Sequence, residues 1–428
     1  MRIAIFTTFQ GSLEAYSLNY VVQDQIKMFR QNGYNPVVLV AQGFKPVENY
    51  VDCEIRYIPN VHLSNDGNLP PNYQDDVNKM YTALVDVLHD INVVITHDII
   101  YQPAHYIHNL ASRKLVESRP DIRWLHWIHS ATSPNVLCNI KEVKALVRTN
   151  FPNSFICYPN SYDVPRVSKN FGYEERNIKV VPHPIDIENY FGFHQITRDL
   201  IKKYDLLTAD VVMTYPVRLD RGKQVEKNIG VMGAIKSKGK TVRLLVGDFH
   251  STGGDKVVYR EELKKIGVKA GLNDHELIFI SEFQHRTRSS CPRDVIKDLM
   301  LISNVFVLPS KSETYSLIAQ EAALSANVLV LNFDFTPMRS IYGDDPRYFK
   351  FSSNIDIFNG MDGDTETTYH DYNGNDDNGR TFYNEIANTV LGELKNNRVL
   401  SMRDKIRKDR NLNSVFKNYL EPLIYYTN

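Results

Sequence analysis

The chain is short of several things, and each shortage removes a class of function. Its 428 residues hold only four cysteines, at 53, 138, 157 and 291, with no CxxC pair among them. That spacing offers neither a zinc cluster nor a disulfide framework. It fits a reducing compartment such as the cytoplasm, with the thiols acting as small buried hydrophobes. Net charge is missing too, since 50 Lys and Arg balance 50 Asp and Glu. No overall field therefore recruits nucleic acid or an anionic membrane, although a local patch can. No apolar run approaches the ~18 residues that span a bilayer. The N-terminal MRIAIFTTF has one positive charge and a very short apolar run followed by polar residues, which reads as a first strand and not as a signal peptide.

What the chain does have is alternation, over a length sufficient for two or more cores. RIAIFTTF is followed by a Gly11-Ser12 turn, a helical pattern from about Ser17 to Asn32 stopped by Gly33, and the strand PVVLVAQ. Further strands are expected at EIRYIP, NVVITHD, IRWLHWIHS, SFICYPN and IKVVPHP, with helices at 75–89 and 104–117 between them. The pattern is that of a doubly wound parallel sheet. A second such unit begins near DVVMTYPVR (210–218) and continues through TVRLLVGD, ELIFISE, NVFVLPS and VLVLNFD. The segment PHPIDIENYF (182–191), with its two prolines, is the expected hinge between the halves. Residues 359–380, rich in Gly, Asn and Asp, read as an exposed insertion, and the last 50 residues return to helix.

Within the second unit, residues 312–325 read SETYSLIAQEAALS, with carboxylates at Glu313 and Glu321. Alone, the segment reads as a surface helix with two solvated glutamates. Its neighbours change that reading: NVFVLPS (304–310) before it and VLVLNFD after Asn327 make a βαβ unit of about 30 residues. The helix must then start at the C-terminal edge of a parallel sheet, where open α/β folds bind ligands. Its first N–H groups and positive dipole end suit a diphosphate. RLDRGKQVEK (218–227) supplies Arg218, Arg221, Lys223 and Lys227 to the same edge, and fixed cations stabilise a departing diphosphate. In the other unit, Gly11 and Ser12 allow close backbone approach to a ligand.

SETYSLIAQEAALS resembles the E-x7-E element of retaining GT-B glycosyltransferases of the family 4 type. Glu313 and Glu321 match its two glutamates, and Arg218 with Lys223 match its Arg and Lys five apart; VVPHPIDIENYF resembles its hinge motif. The resemblance implies two Rossmann-like domains facing across a cleft: residues 1–185 on the acceptor side, 186–400 binding the nucleotide-sugar, and 401–428 a helical segment packing back toward the N-terminal domain. It implies sugar transfer from a nucleotide-diphosphate sugar to a hydroxyl of a glycan, a lipid-linked sugar or a modified DNA base. By the same resemblance Glu313 contacts the donor sugar, Glu321 the ribose, and Arg218 and Lys223 the diphosphate with the backbone of Ser316 and Leu317. His129, ending its strand, would approach the reacting sugar, with His97-Asp98 on the acceptor side, and Glu282 would lie where the nucleotide base is read. Two departures stand out. Ser316 occupies the glycine position of E-x-F-G-L, beside Tyr315, and His183-Pro184 replaces Asn-Gly in the hinge. Lys227 competes with Lys223 for the diphosphate.

No acidic D-x-D presents itself near these stretches, so no cofactor and no metal are expected, the two cations taking the metal's place. The basic strip HRTRSSCPR (285–293) is what a DNA acceptor would touch. A sugar-nucleotide epimerase and a binding module without turnover are the remaining alternatives.

Overall fold

The computed structural model describes residues 1–10, 17–46, 50, 52–63, 69–130, 132–248, 256–283, 291–310, 313, 315–332, 336–351 and 377–426. The chain divides into two compact units, Met1–Asp186 with Arg410–Asn428, and Ile187–Asp409. The division thus falls inside the segment expected to be the hinge. The C-terminal boundary differs from the expected 401: helix Arg398–Asp409 stays with the second unit, where Arg407 reaches the carbonyls of Leu206, Leu207 and Ala209.

The first unit is a seven-stranded sheet in the order β3-β2-β1-β4-β5-β6-β7. Its strands are β1 Ile3–Phe6, β2 Val37–Ala41, β3 Glu54–Ile58, β4 Val93–His97, β5 Arg123–Trp127, β6 Ser154–Tyr158 and β7 Ile178–Val180. Every neighbouring pair is parallel. β1, β2 and β4 are buried at every position, which is why they read as continuous apolar runs and not as alternating ones. Helix Ser17–Gln31 turns Val22, Ile26, Met28 and Phe29 inward, and Gly33, at φ +83°, ends it as a left-handed stop. The C-terminal segment adds Leu412, Val415, Phe416, Leu420, Leu423 and Ile424 to the same core.

The second unit is a six-stranded parallel sheet in the order β10-β9-β8-β11-β12-β13. Its strands are β8 Val211–Pro216, β9 Val242–Gly247, β10 Leu277–Phe279, β11 Val305–Leu308, β12 Val328–Asn332 and β13 Arg347–Phe349. The edge strand β13 is three residues long and gives no periodic signal in the sequence. Helix Val225–Ser237 is buried nearly all round. It packs under helix Asp377–Asn396, whose Tyr383 ring lies so close to Gly230 that an added Cβ would sit 2.6 Å from it.

Some expectations need correction here. Only Cys157 is buried among the four free cysteines; Cys53, Cys138 and Cys291 are partly exposed. Residues 377–380 belong to helix Asp377–Asn396, while 359–376 lie outside the described residues.

Candidate active site

In each sheet the strand order reverses once, between β1 and β4 in the first unit and between β8 and β11 in the second. Ligands of open parallel sheets bind outside the carboxyl ends of the strands at such a point, because the two loops there run in opposite directions and leave a crevice. Each switch point carries a cavity.

In the second unit the cavity has a volume of about 710 Å³ and is lined by Pro216, Val217, Arg218 and Lys223 after β8, Glu313, Tyr315, Ser316, Leu317 and Ile318 after β11, with Gly247 and Ile296. Lys223 Nζ donates to Glu313 Oε1, and both side chains are mostly buried, at 19% and 16% exposure. Arg218 is 52% exposed, with its guanidinium 3.4 Å from the Asp220 carboxylate. The loops are fixed from below. The fully buried Tyr215 donates to the Lys223 carbonyl (2.9 Å) and meets Ser310 Oγ (3.2 Å), and Asn332 donates to the Ser310 carbonyl (3.2 Å).

Ser316 caps helix Leu317–Leu324, its hydroxyl accepting from the Ala319 N–H at 3.4 Å. Its backbone is left-handed, at φ +61° and ψ +77°. The departure from glycine noted in the sequence therefore falls on a residue that does adopt a glycine-like conformation, at a cost on the order of 1 kcal/mol. Tyr342, closing helix Thr336–Tyr342, donates to the Ser316 carbonyl at 2.9 Å. Burial, with Tyr315 and Glu313 nearby, raises the Tyr342 phenol above its ordinary pKa.

The remaining expected residues distribute as follows. Lys227 is fully buried inside helix Val225–Ser237, so the lysine that faces the cavity is Lys223. Glu321 is off the cavity lining and pairs with Arg293 at 3.0 Å, an exposed contact of little strength. Glu282 closes a short turn after β10, paired with Arg260 (3.0 Å) and Lys264 (2.9 Å), and lines a second cavity of about 450 Å³. Gly11, Ser12 and residues 285–290 of the basic strip lie outside the described residues.

In the first unit the switch-point cavity, of about 450 Å³, is lined by Thr7, Thr8, Phe9 and Gln10 after β1, by His97, Asp98, Gln102, Ala104 and His105 after β4, and by Leu18. β5 ends at Trp127, so His129 stands two residues past the strand and does not end it. The parallel pairing that sets His97 beside Trp127 also brings His129 next to His97, with 3.0 Å between ring nitrogens. The His183 ring lies parallel to that of His129, at 5.2 Å between centroids and 3° between planes. The far nitrogen of His97 meets Gln25 Oε1 at 2.9 Å, and the backbone N–H of His129 donates to Asp98 Oδ1 at 3.0 Å. Burial and the neighbouring ring push His129 down to about 4, and His97 falls well below its ordinary value for the same reasons. Burial lifts the Asp98 carboxyl to about 6. The three histidines thus form a cluster of near-parallel rings that burial keeps neutral at neutral pH.

Sequence reasoning singled out His97 and His129 separately but missed Thr8, Gln102 and His105 on the cavity wall, and Tyr215 and Tyr342 beneath the other site. A polar residue two places beyond a parallel strand was the available signal for Thr8; Gln102 and His105 lie further along the loop after β4 and carried no such signal. Among the described residues no group of three or more His, Cys, Asp or Glu is arranged to hold a metal ion.

No family profile matches this chain, and no curated protein does. Solved structures align along its whole length at low similarity. A glycosyltransferase from Rickettsia africae ESF-5 is 13% identical, with all of both chains covered and a TM-score of 0.37. Anabaena Alr3699/HepE in complex with UDP and glucose is 14% identical, again with full coverage of both, at 0.36. An E. coli trehalose-6-phosphate structure bound with UDP-2-fluoro glucose is 12% identical, with full coverage of both, at 0.36. Likeness at this level assigns no residue and no activity.

Proposed function

We propose that this protein is a glycosyltransferase that moves a sugar from a nucleotide-diphosphate donor to an acceptor hydroxyl, with retention at the transferred carbon and without a metal ion. The observation that carries the reading is the wall of the larger switch-point cavity. There a lysine, an arginine and a carboxylate converge with the amino end of a helix. That combination suits a diphosphate joined to a polyhydroxylated group: cations and N–H groups for the first, a carboxylate acceptor for the second.

In the free protein Lys223 and Glu313 neutralise one another. A donor diphosphate competes for Lys223 and releases Glu313 to accept hydrogen bonds from sugar hydroxyls, so a charge pair becomes two ligand contacts. Arg218, half exposed, adds a second cation from the rim. Glu321 would exchange its exposed Arg293 partner for the ribose. As the bond between the anomeric carbon and the phosphate oxygen lengthens, charge builds on the diphosphate, and Lys223 and Arg218 stabilise it most at that moment. The acceptor oxygen arrives on the face that the phosphate leaves, and its proton passes to the departing oxygen. Orientation and leaving-group stabilisation carry the rate, with no strong general base required. The first unit, whose cavity offers uncharged histidines, Gln102, Thr8 and the Asp98 carboxyl for hydrogen bonds, would take the acceptor.

A thermal-shift screen with UDP-, GDP-, ADP- and TDP-sugars tests the donor assignment, because a ligand stabilises by RT ln(1 + [L]/Kd). At least one should raise the melting temperature. No shift with any of the four would remove the basis of the proposal.

A further inference from the structure

We infer that Tyr342 is a positioning residue for the diphosphate seat: its hydroxyl pins Ser316 in the left-handed backbone that aims the first turn of helix Leu317–Leu324 into the cavity. The inference rests on the donor reading above. Three observations join in it. Ser316 is a non-glycine residue at φ +61°, in a conformation that side chains avoid. Its carbonyl accepts a 2.9 Å bond from Tyr342, which comes from a different element, the helix Thr336–Tyr342 after β12. Tyr315, Ser316, Leu317 and Ile318 form a continuous stretch of the cavity wall opposite Lys223.

A glycine at position 316 would hold this turn without help, since it enters the left-handed region freely. Serine is held from both sides of the turn. Its hydroxyl and its carbonyl both face the Ala319 N–H, at 3.4 and 3.1 Å, and the carbonyl also accepts from Gln320 N–H at 3.4 Å, which ties it to the helix. Tyr342 adds to that carbonyl the one bond that comes from a different element, and the shortest of the three it accepts. Without the phenol hydroxyl the 316–317 peptide can rotate and the Ser316 backbone relax toward ordinary right-handed or extended geometry. The N–H groups that open the helix then turn away from the place where the lysine points. Tyr342 touches no part of the ligand in this scheme and acts through Ser316 alone.

The scheme predicts energetic coupling between the two positions. Binding of inorganic pyrophosphate, the portion common to all nucleoside diphosphates, would be measured by calorimetry on the full chain for wild type, Tyr342→Phe, Ser316→Gly and the double variant. Thermal unfolding run alongside establishes that each is folded. Tyr342→Phe should weaken pyrophosphate about tenfold, whereas in the Ser316→Gly background the same change should move binding by less than about twofold. Tyr342→Phe binding as wild type, or losing as much in the glycine background as in the serine one, would overturn the positioning role while leaving the donor reading intact. Wild-type protein that fails to bind pyrophosphate would overturn the diphosphate seat itself, and this inference with it. With an active donor in hand, Tyr342→Phe should raise KM for the donor more than it lowers kcat, a split that loss of overall stability would not produce.

Discussion

At the switch point of the first unit the cavity wall carries His97, His105 and Gln102 with a single carboxyl, Asp98, and His129 and Gln25 stand behind His97, whereas at the second unit's it carries paired ions, Lys223 and Glu313 with Arg218. The backbone architecture is the same in both: a parallel sheet, a reversal of strand order and a cavity beyond the carboxyl ends. What differs is how burial is compensated. In the first unit desolvation keeps the histidines uncharged at neutral pH, while Asp98, raised to about 6, still carries its charge there and gives it up only in mild acid. In the second, charges are kept and paired. The same reversal of strand order therefore carries mainly uncharged rings and amides in one unit and paired charges in the other, a difference made by a handful of residues at and just past the strand ends.

The largest test of this contrast is acid. His62, His97, His105, His108, His126, His129 and His183, all in the first unit, have pKa values lowered chiefly by burial. A histidine that is neutral when folded but near 6.5 when unfolded binds more protons in the unfolded state, so stability is full above about 6.5 and declines as pH falls toward the folded value. His105 and His129, each held at about 4, alone contribute on the order of several kcal/mol. Asp24 and Asp98, raised to about 6, have the opposite sign: they favour the folded state at low pH and lose that contribution as pH rises through 6. Seven histidines outweigh two carboxyls. Both tryptophans, Trp124 and Trp127, sit in β5 and are buried there, so intrinsic fluorescence reports on the first unit only. In urea at pH 5, the fluorescence transition should precede the far-UV dichroism transition of the whole chain. Coincident transitions at that pH would show that the two units do not differ in this way.

At the ionic site, Glu313→Ala and Lys223→Ala should each lower turnover by at least ~100-fold with unchanged dichroism. Lys223→Ala should also weaken diphosphate binding. Near-normal turnover in both variants would retire the roles assigned to them. The smallest expected effect concerns the scaffold of the second unit. Gly230→Ala forces a methyl group against Tyr383 and should destabilise by about 1–3 kcal/mol. Its loss should move the dichroism transition while leaving the tryptophan transition in place; a shift in the tryptophan signal would mean that the units unfold as one.

Much of the scaffold was legible because burial on both faces writes long apolar runs, as in VVLVA and VFVL, which pattern reasoning finds readily. The strand β13 was not: β10 is as short but wholly apolar and buried, whereas β13 reads RYF and is exposed or half-buried at every position. At the candidate site, the helix with its two glutamates and the Arg-x4-Lys spacing could be read directly. The choice between Lys223 and Lys227 could not, because it depends on which side of the helix start each residue falls and hence on Lys227 entering the core. Nor could Tyr215 or Tyr342 be singled out among 25 tyrosines, since each acquires its role from a carbonyl that only tertiary folding brings near: Lys223 lies eight residues from Tyr215, and Ser316 lies 26 from Tyr342.

The return of Arg410–Asn428 to the first unit has a consequence for synthesis. Phe416, Leu420 and Leu423 fill the same core as Val22, Ile26 and Phe29, yet they leave the ribosome only after the whole of the second unit has emerged. Until then Val22, Ile26 and Phe29 of the first helix lack part of the apolar surface that covers them in the folded unit. That uncovered stretch is where a nascent-chain chaperone would be needed most.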